Sequence, residues 1–195
     1  MSLRLNLGCG KDVREGWVNV DHVEAPGVVC ADLNDPQWYQ ALSGILDWDD
    51  LVDHSDAHHV IEHLTNPLGF MQGLYAVTRP GGTVDIRCPH GASDDAWEDP
   101  THVRPYYENS FAVFSQPYYW RVDDSYGYLG DWQPTHVQLY LYPGLGDVPE
   151  EMVVRGIRHQ RNFVFEMLAR LECVKPAREP RRELQEPPTV TYHAP

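Results

Sequence analysis

Two glycines near the start of the chain form the first pattern with chemical meaning. Gly8 and Gly10 flank Cys9, directly after residues 3–7, in which leucines alternate with polar residues. Glycine permits sharp turns and lets a ligand lie against bare backbone. The third glycine of the dinucleotide-binding fingerprint is missing, because Val13 stands at its position. We therefore expect a ligand-binding turn after a first strand, with Cys9 serving through its small size rather than as a nucleophile.

Two aspartates follow later segments that also have the character of strands. Asp21 comes after Trp17–Val20, and Asp32 comes after Val28–Ala31. A carboxylate accepts hydrogen bonds, so the first could bind the vicinal hydroxyls of a ribose and the second the amino group of adenine. Together with the glycine turn, and in this order, the two aspartates predict a slot for a nucleoside.

The elements that must position these residues alternate between strand and helix. A helix with one apolar face is predicted from Asn66, and it stops at Arg79. Residues 161–171 can be interpreted as a helix or as part of a strand. Four further strands are predicted, at residues 51–57, 83–88, 136–142 and 167–174. This order predicts a single Rossmann-like, doubly wound α/β domain with a mostly parallel seven-stranded sheet and an antiparallel edge strand. Ligands of such sheets bind at the carboxyl ends of the strands.

Composition and charge exclude several classes of protein. Of the 195 residues 42% are hydrophobic, which fits one globular domain with a sizeable core. The formal net charge of -14 disfavours nucleic acid as a partner, because phosphates carry the same sign. No apolar run approaches the roughly 18 residues that span a bilayer, so we expect no membrane association. Four widely spaced cysteines fit neither a disulfide framework nor a zinc ribbon and indicate a cytoplasmic protein.

Five motifs follow one another along the first half of the chain. They are LNLGCG at residues 5–10, GWVNVD at 16–21, ADL at 31–33, HVIEHL at 59–64 and RPGG at 79–82. Their order and spacing resemble those of class I S-adenosylmethionine (SAM)-dependent methyltransferases. The second motif is similar to that of the small type 11-like group. The resemblance covers roughly residues 3–90.

The resemblance implies that SAM is the cofactor and that the ends of four strands bind it. The turn after the first strand would wrap the methionine part, and the aspartate after the second would bind the ribose. The residues after the third would face the adenine, and those after the fourth would lie beside the sulfonium. In that order these residues are Leu7, Gly8, Cys9 and Gly10; Asp21; Asp32 and Leu33; and Ala57, His58 and His59.

The predicted function is SAM-dependent methyl transfer to a small-molecule acceptor. Transfer from a sulfonium is an in-line displacement, to which positioning contributes most and a general base adds further rate. Because histidine titrates near neutral pH, we expect His59 or His102 to be the base, with Asp99 orienting it or Tyr106 assisting. A protein that binds SAM or S-adenosylhomocysteine (SAH) without turnover is the alternative.

Residues 89–134 break the alternating pattern and are rich in aromatic residues, aspartate and histidine. Long ordered loops are usually functional, so we expect a lid or an acceptor region here, although the aromatic side chains could form a second small core. The domain is predicted to span residues 1–175, and the proline-rich residues 176–195 form a tail. Only ten residues separate Gly10 from Asp21, so the first helix of the family is shortened or absent. The site is then either more open, or closed by the insertion or by a second subunit of a homodimer.

One motif also fits a different chemistry. His59, Glu62 and His63 match the H-x-x-E-H signature of zinc metallopeptidases, and histidines four apart on a helix could bind a metal. However, Asn66 and Pro67 follow almost at once and leave about one helical turn, and no helix with a third acidic ligand is evident. We therefore predict no metal site.

Overall fold

The computed structural model describes residues 2–45, 51–121, 126–145 and 148–194. It contains eight strands: β1 (Arg4–Leu7), β2 (Val18–Asp21), β3 (Val28–Cys30), β4 (Val52–His58), β5 (Thr78–Pro89), β6 (Trp132–Leu141), β7 (Val164–Cys173) and β8 (Thr189–His193). Within these ranges the α-helices are α1 (Pro67–Val77), α2 (Asp95–Glu98) and α3 (Glu150–His159). No helix of the described part of the chain is long and apolar enough to cross a membrane.

All eight strands form one sheet, in the order β3-β2-β1-β4-β5-β7-β6-β8. The first five strands are parallel, and β7 pairs antiparallel with both β5 and β6. The predicted α/β class with a mostly parallel sheet is confirmed. Residues 161–171 contribute to a strand and not to a helix, whereas α3 was not predicted. The antiparallel strand lies inside the sheet rather than at its edge.

The eighth strand comes from the proline-rich tail. Thr189–His193 pairs parallel with β6, and the Thr191 hydroxyl donates to Gln138 Oε1 at 2.8 Å. The prolines of the tail obscured this strand in the sequence, but none lies between Pro188 and Pro195. The five residues that follow are mostly β-branched or aromatic and therefore suit a strand.

One face of the sheet is apolar and carries the core. Side chains of neighbouring strands form a fully buried row on this face: Val20, Leu7, Ala57, Ile86 and Ala169. Helix α1 adds Phe70 and Leu74 to the same core. The helix begins at Pro67 because the Asn66 side chain accepts a hydrogen bond from Gly69 N at 3.0 Å, as an N-cap residue does.

The opposite face of the sheet is polar. Successive residues of a strand point to opposite faces, and the row in register here is Asn19, Asn6, Asp56, Asp85 and Arg170. Residues 11–17 form no helix over it, in agreement with the expected loss of the first helix. Instead, Arg14 lies on this face, where its backbone N–H donates to Asn19 Oδ1 and its guanidinium pairs with Asp56.

Candidate functional site

A cleft of about 820 Å³ opens at the carboxyl ends of β1 to β4. The chain runs outward from β1 to β3 and then returns to β4 on the other side of β1. Such a reversal of strand order leaves a crevice in which ligands of α/β proteins bind. The cleft is lined by Gly8, Asp21, His22, Ala31, Asp32, Leu33, Asn34, His59, Val60, His63, Leu64 and Thr101.

Gly8 is the residue of the turn that lines the cleft, and its backbone requires glycine. Its φ is +64°, a left-handed conformation that side chains rarely adopt. A Cβ atom there would lie 2.3 Å from Val60 Cγ2. Gly10 also has a positive φ, +51°, but open space surrounds its Cβ position. Its N–H donates to Asp21 Oδ2 at 2.8 Å, which connects the turn to the end of β2.

The two predicted aspartates face this same cleft. Asp21 is only 7% exposed, and its carboxylate also accepts a hydrogen bond from Val23 N at 2.9 Å. Each carboxylate oxygen has two acceptor positions, so Asp21 retains capacity for the hydroxyls of a ligand. Asp32 is exposed, and one of its oxygens accepts a hydrogen bond from Asn34 N at 2.9 Å.

Half of the ten predicted cofactor residues line the cleft: Gly8, Asp21, Asp32, Leu33 and His59. The other five do not. Leu7 and Ala57 are buried in the core, and His58 projects from the polar face of β4, where burial lowers its pKa. Leu7 is the last residue of β1, and Ala57 and His58 are the last two of β4, so the alternation of the strands directs their side chains to the two faces of the sheet and not to the cleft.

The remaining two predicted residues, Cys9 and Gly10, belong to the turn but lie behind the cleft lining. Cys9 is buried, and its N–H donates to Val20 O at 3.1 Å. Burial and the neighbouring Asp21 raise the pKa of the Cys9 thiol. The thiol is therefore protonated near neutral pH, which agrees with a steric rather than a nucleophilic role.

His59 stands at the boundary between the cleft and a second cavity. Its φ is +54°, a strained backbone conformation of the kind that clusters at functional sites. Its Nε2 lies 2.8 Å from Glu166 Oε1, and its Nδ1 lies 3.3 Å from Glu62 Oε1. These two carboxylates, Glu166 first, raise the pKa of His59 to about 9. Arg87 Nε donates to the other oxygen of Glu166 at 2.6 Å.

The second cavity has a volume of about 350 Å³. His59 lines both it and the cleft, so the two spaces adjoin. Asp99 and His102 line it as well, with 3.9 Å between Asp99 Oδ2 and His102 Nε2. The complete lining is His59, Pro89, Asp95, Glu98, Asp99, His102, Phe165 and Glu166. The structure thus brings three of the four predicted catalytic residues together.

Tyr106, the fourth, lies elsewhere. Its ring is buried, and its hydroxyl donates to Ile61 O at 3.3 Å. Burial raises the pKa of this phenol above its usual value. Tyr106 lines a separate, mostly apolar cavity of about 450 Å³ within the insertion, together with Tyr118 and Tyr119. We interpret it as a structural residue of the insertion.

Sequence reasoning missed Glu166 and gave His63 and Thr101 no place in the cleft. Glu166 enters from β7, and only its position on the polar side of an alternating strand hinted at it. The irregular segment that carries Thr101 and His102 is held beside Glu62 by a hydrogen bond from Val103 N to Glu62 O of 2.7 Å. No periodic pattern encodes such a contact.

The metallopeptidase motif lacks its helix. Ile61–His63 forms a single 3₁₀ turn, and His59 lies outside it with a left-handed backbone. His59 and His63 therefore do not share a helical face, as the motif would require. His59 pairs with Glu166 instead.

Comparison with known proteins gives structural matches only. No protein-family profile and no curated protein matches the sequence. A SAM-dependent methyltransferase from Archaeoglobus fulgidus has a similar structure, with a TM-score of 0.55, 19% identity, and 88% of this chain and 86% of that chain covered.

Two further solved structures illustrate the range of the fold. An O-methyltransferase from a PKS multienzyme of Brevibacillus brevis, in complex with SAH, matches with a TM-score of 0.53, 12% identity and coverage of 89% and 67%. The 4+2 cyclase SpnF matches with a TM-score of 0.52, 12% identity and coverage of 89% and 76%. At these identities the likeness concerns the fold, and the chain therefore has the fold of the class I SAM-dependent methyltransferases.

Proposed function

We propose that the protein binds SAM in the cleft and transfers its methyl group to a small-molecule acceptor in the adjoining cavity. The observation that carries this proposal is the convergence of Gly8, Asp21 and Asp32, from three consecutive strand ends, on one cleft. The shared fold supports the proposal. Because one fold serves many functions, the proposed activity rests on the residues of the site and not on the fold.

The residues of the cleft fit SAM. The volume lies within the roughly 300–1,000 Å³ that is usual for small-ligand sites. Asp21 would accept hydrogen bonds from the ribose hydroxyls, as acidic residues do at this position of related sheets. Asp32 and the backbone of Leu33 would face the adenine, and the turn at Gly8 would accommodate the methionine part. When bound, SAM supplies an activated methyl group on its sulfonium.

The adjoining cavity indicates the kind of acceptor. Asp95, Glu98 and Asp99 line it and are exposed, whereas the charge of Glu166 is offset by His59 and Arg87. Exposed carboxylates accept hydrogen bonds and attract positive charge. We therefore propose an acceptor that carries an ammonium group or several hydroxyl groups.

In this proposal the protein acts mainly by alignment. With a pKa of about 9, His59 is a cation at neutral pH, so it suits the positioning of groups at the boundary rather than proton abstraction. The Tyr106 hydroxyl is bonded to a backbone carbonyl. Positioning alone can supply effective molarities of about 10⁵ to 10⁸ M. The methylated atom would be one with a free lone pair, and not the nitrogen of an ammonium group that the carboxylates bind.

A matched pair of aspartates tests SAM binding. Asp32 Oδ1 accepts a hydrogen bond from Asn34 N at 2.9 Å, and Asp35 Oδ1 accepts the equivalent bond from Gln37 N at 2.8 Å. Asp32→Ala and Asp35→Ala therefore remove the same turn contact, but only Asp32 lines the cleft. Loss of one charge-assisted hydrogen bond of about 1.5 kcal/mol corresponds to roughly tenfold weaker binding.

Calorimetry with SAM and SAH provides the measurement. We expect about tenfold weaker binding for Asp32→Ala and wild-type affinity for Asp35→Ala. Equal affinities of the two variants would argue against the assigned adenine position. If the wild-type protein bound neither compound, the proposed function itself would be wrong.

A protein that binds SAM without turnover is the second candidate. It is favoured by the charge of His59, which as a cation at neutral pH cannot accept a proton from an acceptor. Production of SAH in the presence of amine and polyol acceptor libraries separates the two functions. Tight SAM binding with no SAH formed from any acceptor would favour the binding protein.

A further inference from the structure

We infer that Glu62, His63 and His102 form a binding site for a divalent transition-metal ion of the zinc class. One ligand atom from each residue lies within 4.8 Å of the other two. Two histidines and one carboxylate are the donor set of catalytic zinc sites with three protein ligands. The set differs from the peptidase motif, because His102 from the insertion replaces His59.

The burial of these side chains points to a missing partner. Glu62 is 2% exposed; its Oε1 faces His59 Nδ1 at 3.3 Å, and its Oε2 has no hydrogen-bond partner among the described residues. The His102 side chain is 10% exposed, and its buried Nδ1 has no hydrogen-bond partner in the described chain. Buried polar atoms are normally satisfied, and a cation between the two residues would satisfy both.

The surrounding residues prepare the correct nitrogen of His63 for a metal. The Thr101 hydroxyl donates to Asp99 Oδ1 at 2.6 Å and lies 3.0 Å from His63 Nδ1. A hydroxyl has only one proton to donate, so His63 Nδ1 carries the hydrogen and donates to Thr101. In the neutral ring the lone pair is then on Nε2, which is the atom that can bind a metal.

His102 has a comparable outer partner. Its Nε2 faces the Asp99 carboxylate at 3.9 Å, while Nδ1 is the nitrogen without a partner. Metal-binding histidines commonly direct their second nitrogen toward a carboxylate or another acceptor, which fixes the ring and its tautomer. Thr101 thus holds the His63 ring through a hydrogen bond, and Asp99 faces the His102 ring. The centroids of the two rings are 4.8 Å apart.

The other candidate cluster in the described chain lacks these features. His54, Asp56 and Asp85 also bring ligand atoms together on the polar face of the sheet. However, Asp56 pairs with Arg14, and Asp85 pairs with both nitrogens of the Arg170 fork. Both carboxylates of this cluster are therefore already paired with arginines, whereas Glu62 Oε2 of the proposed site has no hydrogen-bond partner among the described residues.

The position of the proposed metal site would allow the ion to bind the methyl acceptor. His63 lines the cleft and His102 lines the adjoining cavity, so an ion between them would lie where the two spaces meet. Three protein ligands leave a tetrahedral ion with an open position, available to an oxygen or nitrogen atom of a bound acceptor. This role of the ion rests on the proposed function, but the binding of the ion does not.

Titration of the chelator-treated, tag-free protein with zinc chloride tests the inference, and cobalt(II) absorption reports the coordination geometry. We expect one ion per chain and a tetrahedral cobalt spectrum. Glu62→Gln, His63→Asn and His102→Asn should each weaken zinc binding by more than about 100-fold, and Thr101→Val by about 10- to 100-fold, as is typical of outer partners. The control is His159→Asn, which removes an exposed histidine at the end of α3.

Three outcomes would overturn the inference: no stoichiometric zinc binding by the wild-type chain, an octahedral cobalt spectrum, or unchanged affinity in the three ligand variants. The wild-type measurements remain decisive if a variant fails to fold. SAM binding, measured on the same metal-free samples, reports the proposed function separately. A negative result for zinc binding does not contradict the proposed function, and a negative result for SAM binding does not contradict the metal site.

Discussion

Replacing Gly8 by alanine tests the geometry of the turn that borders the cleft, and Gly10→Ala is its control. Both residues have a positive φ, +64° and +51°. An alanine in this conformation costs about 1–2 kcal/mol, of which the stiffer unfolded chain returns about 0.4–1 kcal/mol. Gly10→Ala should therefore lower the free energy of unfolding by about 1 kcal/mol.

Gly8→Ala should cost more, because its Cβ would lie 2.3 Å from Val60 Cγ2. Relief of such a clash typically costs a further 1–3 kcal/mol. Val60 also lines the cleft, so its displacement should weaken SAM binding. Adding Val60→Ala removes the clashing methyl group, and the double variant should recover part of the loss as a favourable coupling energy.

Urea unfolding of Gly8→Ala, Gly10→Ala and the double variant measures these differences, with calorimetry for SAM. Gly8→Ala should be less stable than Gly10→Ala by at least about 1 kcal/mol. Equal stability of the two single variants would refute the close approach of Gly8 and Val60. The same conclusion would follow if Val60→Ala had a purely additive effect.

Two further predictions concern carboxylates away from the cleft. Asp131 is fully buried and binds the Arg178 guanidinium through both oxygens. Asp131→Ala should therefore lower the free energy of unfolding, measured in urea, by about 3–5 kcal/mol. The control Glu179→Ala removes an exposed ion pair and should change it very little. Burial raises the pKa of Asp56, but hydrogen bonds from His54 and Arg14 outweigh it and lower that pKa below 3.8. The stability that Asp56 contributes is present above pH 3.8 and is lost as the pH falls through the lower pKa of the folded protein. Asp56→Asn should therefore lower the free energy of unfolding by about 1.5 kcal/mol at pH 7 and by much less in strong acid. An equal loss at both pH values would contradict the ion pair.

The sequence was informative about the cleft because each of its main residues follows a strand of a parallel sheet. Gly8, Asp21 and Asp32 had to meet once β1, β2 and β3 were neighbours, since parallel strands end at the same edge. Two further predicted residues, Ala57 and His58, do not line the cleft. The strand continues to His58, and alternation sends these two side chains to the two faces of the sheet.

Contacts between segments that are distant in the chain could not be predicted from the sequence. Glu166 approaches His59 only because β7 runs antiparallel to β5, and the sequence pattern of residues 161–171 fitted a helix as well as a strand. His102 meets Glu62 through an irregular segment with no periodicity. The donor set of the proposed metal site therefore could not be predicted, although two of its three residues, Glu62 and His63, lie within a recognised motif.

The added strand β8 has a consequence for solubility. Without it, the ten residues of β6 would form the edge of the sheet and offer a long row of unpaired N–H and C=O groups to other chains. β8 pairs with residues 136–140 of that row and presents its own five-residue edge instead. The opposite edge, β3, is only three residues long. Both edge strands of the sheet are thus short, which disfavours pairing with other chains, and the C-terminal segment protects β6 from such aggregation.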